Sequence, residues 1–328
     1  MKRRKRYVFI WSFLFVFLVG VGAATGYAAY LTDQVKQTAL NSHQGLDRGE
    51  KSDKRTKEVI PAKDHTSVLF VGIDDSDKRE SSPSRSDALV LATFNEDDKS
   101  IKMLNIPRDS LTYIPEVGYE DKIAHAHAFG GIDGTVETVE RMLDVPVDYY
   151  VRLNFNSFVE IVDSIGGITY DVPFDMQEQN SSDQAGAIEL TEGKQLINGE
   201  EALALARTRK YDSDLARGER QMEIIQQIFR ETVSAKGLNN MDEILSSVSA
   251  NMKTNLTFSE MIQFKDYFLQ KENFTFDKMQ LEGEGGFTGH GWYYQLAKDD
   301  LTATSDELKN HLELQNPIAS ENEEENSM

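Results

Sequence analysis

Apolar and polar positions fall in blocks along this chain, and the blocks differ in length and period. The first, Tyr7 to Thr32, contains no Asp, Glu, Lys, Arg or His and follows five consecutive basic residues, Lys2 to Arg6. A helix rising about 1.5 Å per residue over that run exceeds the roughly 30 Å hydrocarbon core of a bilayer. The pattern predicts a transmembrane signal-anchor helix over 7–32. The basic end at 1–6 stays cytoplasmic by the positive-inside rule, and the rest of the chain lies on the extracytoplasmic face of the cell membrane, as a single-pass type II protein. A cleaved signal peptide is the competing reading, since Gly26-Tyr27-Ala28 offers a small-x-small site. Its apolar region is ordinarily only about 7 to 15 residues, shorter than this run.

Residues 33–64 are polar, charged and without period, which predicts an extracytoplasmic stalk. Short apolar runs bounded by turn residues follow, at Thr66 to Ile73, Ala88 to Phe94 and Ile101 to Ile106, and they predict strands buried in a sheet. Between and after them the period changes to that of helices. Asp133 is placed to cap a helix carrying Val136, Val139, Met142 and Leu143 on one side, and Phe155 to Ile165 is a second helix stopped by Gly166-Gly167. Asn198 with Glu201 three residues on predicts a capping-box start for the helix containing Ala202 to Thr208, and a longer helix runs from about Asp214 to Lys236. Strands interleaved with helices argue one α/β/α layered domain over 65–312. Residues 313–328, with Glu321, Glu323, Glu324 and Glu325, form a disordered acidic tail.

Charge narrows the partners. The formal charge is −20, from 35 basic and 55 acidic residues; setting aside the five basic residues of the anchor leaves 30 against 55, or −25, outside the membrane. Such a domain does not bind nucleic acid or anionic lipid nonspecifically, and an anionic ligand requires a local arginine cluster. There is no cysteine, so the domain rests on its core alone. Nucleotide-binding and hydrolase signatures (GxxxxGK[ST], GxGxxG, GxSxG, HExxH) are missing, and His125-x-His127 lacks a third metal ligand in view.

Charged residues at the ends of the strand-like runs carry the candidate chemistry. Asp74-Asp75 follows the first run, Arg85-Ser86-Asp87 precedes the second, and Pro107-Arg108-Asp109 follows the third. Adjacent strands bring such ends together at the crevice that α/β sheets use for ligands. Asp74 and Asp87 then suit a Mg²⁺ ion that keeps waters for phosphate oxygens. A fourth group, Arg207-Thr208-Arg209 with Arg217, Arg220 and Gln221, leads into a helix that is polar at its head and apolar behind, matching a ligand with an anionic head and a greasy tail. Neither Arg207 nor Arg209 has an acidic residue four positions before it, which leaves both for ligand. Pyrophosphate fits this set, because guanidinium groups bind its oxygens bidentately.

At these residues the chain resembles the LytR-CpsA-Psr family of cell-wall glycopolymer ligases. The resemblance covers about residues 66–230, through VLFVGID, RSDALVLATFN, IPRDS, DKIAHAHAFGG, VPVDYYVRLNF, IVDSIGGITYDVP, LINGEEALALARTRKYDSD and RGERQ in that order. It implies a central mixed sheet and a phosphotransferase. The enzyme would move an anionic glycopolymer of the teichoic acid type from a polyprenyl-pyrophosphate carrier to a muramic acid hydroxyl of peptidoglycan, forming a phosphodiester. It also implies Mg²⁺ or Mn²⁺ on Asp74 and Asp87, with Arg85, Arg108, Lys122, Arg207, Arg209, Arg217 and Gln221 around the pyrophosphate. Asp87, Arg108 and Arg209 are the expected catalytic residues, Asp87 or Asp109 the proton acceptor, and the lipid lies in a tunnel between helices and sheet. A non-catalytic regulator that captures the lipid, or a hydrolase using water as acceptor, would use the same residues. Phe287 to Tyr294 is either the rim of an acceptor cleft or a Gly-rich turn beside a terminal strand.

Overall fold

The computed structural model describes residues 41–61, 63–73, 84–232, 252–257, 260, 263, 275–288 and 291–314. The expected transmembrane helix, Asp74, Asp75 and the tail from 315 lie outside them. No helix among the described residues is long and apolar enough to cross a membrane.

Three apolar runs open the fold as strands β1 (Thr66–Ile73), β2 (Ser86–Asn95) and β3 (Ser100–Asn105), with nearly every position buried because the sheet is covered on both faces. A hairpin, β4 (Leu111–Ile114) and β5 (Tyr119–Lys122), leads into α1 (Ala124–Leu143); β6 (Tyr149–Asn154) then runs directly into α2 (Phe155–Ser164). Four short strands follow, β7 (Ile168–Val172), β8 (Met176–Glu178), β9 (Ile188–Leu190) and β10 (Gly193–Ile197), and then α3 (Gly199–Arg207) and α4 (Asp214–Thr232). The chain closes with β11 (Lys253–Thr254), β12 (Thr275–Gln280), the hairpin β13 (Gly283–Thr288) and β14 (Gly291–Leu296), and α5 (Lys298–His311).

The central sheet has six strands in the order β11-β6-β1-β2-β3-β12 and is mixed: β1 runs parallel to β6 and antiparallel to β2, β2 antiparallel to β3, and β3 parallel to β12. Val136, Val139 and Leu143 of α1 and Leu308 of α5 pack on one face, against Leu69, Val71, Leu89, Leu91 and Leu104. The other face, with Val68, Val90, Ala92 and Met103, takes Met222 and Ile225 of α4. A further cluster joins α2, α3 and strands β7 to β10 to α4 through Ile224. The α/β/α layering and the mixed sheet agree with expectation.

Local signals place α2 and α3. Asn154 caps α2 by accepting from the Ser157 N–H at 2.8 Å. Asn198 and Glu201 form a reciprocal capping box, a device that typically contributes about 0.5–2 kcal/mol.

Two expectations are corrected. The helix expected to begin at Asp133 begins at Ala124, passing a kink at Gly130 and Gly131, and the Asp133 carboxylate instead accepts the Asp47 N–H at 2.7 Å. The described part of the expected stalk, residues 41–61, 63 and 64, is docked on the domain. Leu46 enters the main core, Arg48 binds Glu140, and Arg55 makes a buried pair with Asp148 at 2.6 Å. The domain therefore starts before residue 65.

Candidate active site

Sheet topology explains why the charged residues meet. Because β2 is antiparallel to β1 and β3 while β6 is parallel to β1, the C-terminal ends of β1, β3 and β6 share one edge with the start of β2. The register pairs Ile73 with Ser86 and with Asn154, and Asn105 with Val90. Arg85 and Asp87, Arg108 and Asp109, and Asn154 with Phe155 are thereby drawn to a single crevice.

A cavity of about 850 Å³ opens there, within the roughly 300–1,000 Å³ range of ligand sites. Its floor and far end are apolar, made by Phe70, Val90, Val151 and Leu153 of the sheet and by Phe158, Leu203, Ala206, Ile224 and Ile225 of α2, α3 and α4. Its mouth is charged. Arg85, Asp87, Arg108, Lys122, Arg207, Arg209, Arg217 and Gln221, all singled out from sequence, line it together with Asp109, Asp214 and Trp292. Six cations thus face three carboxylates among the described lining residues, a local excess of positive charge on an acidic protein.

The mouth is held by an internal ionic network. Arg108 binds one oxygen of Asp87, and Lys122 binds Asp109 at 2.8 Å. Arg209 reaches Asp109 at 3.9 Å and Asp214 at 3.1 Å, and Arg217 reaches Asp214 at 3.4 Å. Sequence offered Arg209 no acidic partner, so Asp214 is a component that sequence reasoning missed; the pairing forms only when the 208–213 turn folds α4 back on α3. Arg207 lies over the Phe155 ring at 4.5 Å, and Gln221 donates to the Ala206 carbonyl at 3.0 Å. Arg220 serves the scaffold instead, binding the Leu205 and Thr208 carbonyls and Asp212 and so closing the end of α3.

Burial is the main cause of the electrostatic perturbation. It pushes the Arg217 guanidinium down to about 10, with the neighbouring Arg209 cation acting in the same direction, and it lowers Arg108 as well. Both remain protonated at neutral pH. The Nε atoms of both are buried without a hydrogen-bond partner among the described residues.

A divalent cation is a harder test. Asp87 offers a hard oxygen ligand of the kind Mg²⁺ takes, but its Oδ1 is engaged by Arg108, and its expected co-ligand Asp74 lies outside the described residues. The donor chemistry fits, on condition that Asp87 exchanges Arg108 for the ion. His125 and His127 make no shared metal site, since His125 pairs with Asp121 at 2.7 Å while His127 meets the Ser84 carbonyl at 2.9 Å. The one group of three ligating side chains among the described residues, His65, Asp97 and Glu313, is not among the cavity's lining. There the His65 Nδ1 accepts the Glu96 N–H, so the neutral ring carries its proton on Nε2, the atom that faces the carboxylates.

Comparison with known proteins adds to this geometry. Residues 29–310 match the LytR_cpsA_psr family. The polyisoprenyl-teichoic acid–peptidoglycan teichoic acid transferase TagT of Bacillus subtilis (strain 168) is 39% identical over 314 residues, covering 95% of this chain and 96% of the relative. A solved structure described as LytR-CPS2A-psr family protein YwtF (TagT) with bound octaprenyl pyrophosphate lipid superposes with a TM-score of 0.67 at 38% identity, over 82% of this chain and 99% of that one. TagT bound to LI-WTA gives a TM-score of 0.71 at 40% identity, over the same shares of the two chains.

Proposed function

From the premise that this chain belongs to the LytR-CpsA-Psr family, we propose that it transfers an anionic, teichoic acid-type glycopolymer from a polyprenyl-pyrophosphate carrier to a hydroxyl of peptidoglycan. One observation carries the reading: a single cavity joins an apolar slot between sheet and helices to a mouth with an excess of cations. The slot takes the polyprenyl tail and the mouth takes the pyrophosphate. Relatives named as teichoic acid transferases, one seen with octaprenyl pyrophosphate, support the same assignment.

In the reaction the acceptor hydroxyl attacks the glycan-bearing phosphorus. A new O–P bond forms, the bond to the second phosphate breaks, and polyprenyl phosphate departs with the electron pair. Arg108, Arg209 and Arg217 hold the phosphate oxygens and stabilise the charge that grows on the leaving group. The hydroxyl proton passes to an aspartate at the mouth, Asp87 or Asp109. Lys122 orients Asp109, and Arg207, seated on Phe155, marks the border between mouth and slot. A Mg²⁺ or Mn²⁺ ion on Asp87 and Asp74 would neutralise pyrophosphate oxygens. The uncharged run after the basic N-terminus supports a membrane anchor with the domain outside, where both substrates lie; protease added to intact protoplasts should then digest the domain, and its full protection would contradict this topology.

Thin-layer chromatography of a lipid-linked donor tests the activity. Polyprenyl phosphate should appear with peptidoglycan present and not without it, and a divalent-cation chelator should abolish its release. Release without peptidoglycan would mean a hydrolase, and no turnover in either case a lipid-binding protein. Transfer that survives chelation would exclude the metal.

A further inference from the structure

A second, smaller cavity of about 240 Å³ meets the first at the charged mouth. It shares Arg108, Asp109, Asp214, Arg217 and Trp292 with the mouth and none of the residues of the apolar slot, so it opens on the side of the arginines away from the lipid. Its own walls are Pro107, Ser213, Leu215, Gly285 and Tyr294, a mainly apolar lining beside ionic groups.

Trp292 is built into this wall. Its strand is tied to the catalytic edge, because the Tyr294 N–H donates to the Asp109 carbonyl at 2.9 Å. Its indole lies directly on the backbone of Gly285, where any side chain would meet the ring at 2.5 Å. Phe287 stands opposite Trp292 in the hairpin register and is highly exposed. An aromatic face at the rim of a small cavity with apolar walls matches the C–H face of a pyranose ring, while Arg108 and Asp214 match its hydroxyl and carbonyl groups.

The geometry points to this cavity as the subsite for one sugar residue of the acceptor glycan, with Trp292 as its stacking platform; the inference rests on the transferase reading above. Displacement at phosphorus is in line. The attacking hydroxyl therefore arrives opposite the departing polyprenyl phosphate, whose tail occupies the slot. The donor's own sugar is attached to the attacked phosphorus and lies beside that axis, so a cavity beyond the arginines falls to the acceptor. Its volume admits about one ring, which lets a long polymer present a single residue while its neighbours extend over the exposed hairpin.

Two variants of the full chain test this. Leu215→Trp fills the second cavity from a residue that does not line the first, and Trp292→Ala removes the platform. In transfer assays with a polyprenyl-pyrophosphate-linked donor and a soluble N-acetylglucosamine–N-acetylmuramic acid tetrasaccharide as acceptor, both should raise the acceptor KM about tenfold or more. The donor KM should change less than about twofold in Leu215→Trp. Saturation-transfer NMR should show the tetrasaccharide bound to the wild type and lost in Leu215→Trp, a readout that needs no turnover. A rise in donor KM with the acceptor KM unchanged would assign the cavity to the donor's sugar and overturn the proposal, as would unchanged values for both. Wild type that binds the tetrasaccharide but transfers nothing would refute the transferase reading while leaving the subsite standing.

Discussion

Arg217 concentrates the chemistry of the site in one side chain. It is buried, depressed to about 10 by desolvation and by Arg209, and among the described residues it is held by Asp214 at 3.4 Å with its Nε unpartnered. Arg217→Lys should lower transfer on the order of 10²-fold, because a point charge does not replace a planar fork at a preorganised anion site. A lysine in that surrounding also has its pKa depressed, so its charge is lost as pH rises through the lowered value. The variant should therefore lose activity on the alkaline side sooner than the wild type, measured as kcat/KM against pH. Rates within about twofold of wild type across that range would contradict the assigned role. The identity of such residues is legible in sequence, since charges at the ends of apolar runs meet at a sheet edge. Their pairing is not: Asp109 serves both Lys122 and Arg209, which come from a hairpin and a loop far apart in the chain.

Among the elements, α4 sets the geometry of the mouth. Its first turn carries Asp214 and Arg217, and Gly218 presses the helix onto the end of β3, where a Cβ would overlap the buried Asn105 amide. Gly218→Ala should thus destabilise by about 1–3 kcal/mol, as overpacking does, although the same change on an open helix face is stabilising. It should also cut transfer by about 10–100-fold through the tilt imposed on Arg217 and Gln221. A raised Tm with unchanged turnover would show that the close approach has no consequence. Elements whose signals are local are legible in the chain, as with the Asn198–Glu201 box of α3. Where the start depends on tertiary packing, as at Ala124 ahead of the Gly130–Gly131 kink, the capping residue Asp133 misleads, because its carboxylate is used by Asp47.

For the whole molecule, the docked segment before β1 shows what polar patterning conceals. Residues 41–61 have no apolar period, yet Leu46 enters the core and Arg55 neutralises Asp148, a partner 93 positions away. Only the folded sheet brings them together. The same long-range closure sets an apolar slot beside a cationic mouth on a chain of charge −20, and the transfer reading rests on that juxtaposition. The most direct measurement uses a lipid-linked donor labelled separately in its two phosphates and incubated with peptidoglycan. The phosphate next to the glycan should enter the peptidoglycan while the phosphate next to the polyprenyl chain stays with the lipid. Label from the lipid-proximal phosphate in the peptidoglycan, or glycan-proximal label released only in soluble form, would contradict the account.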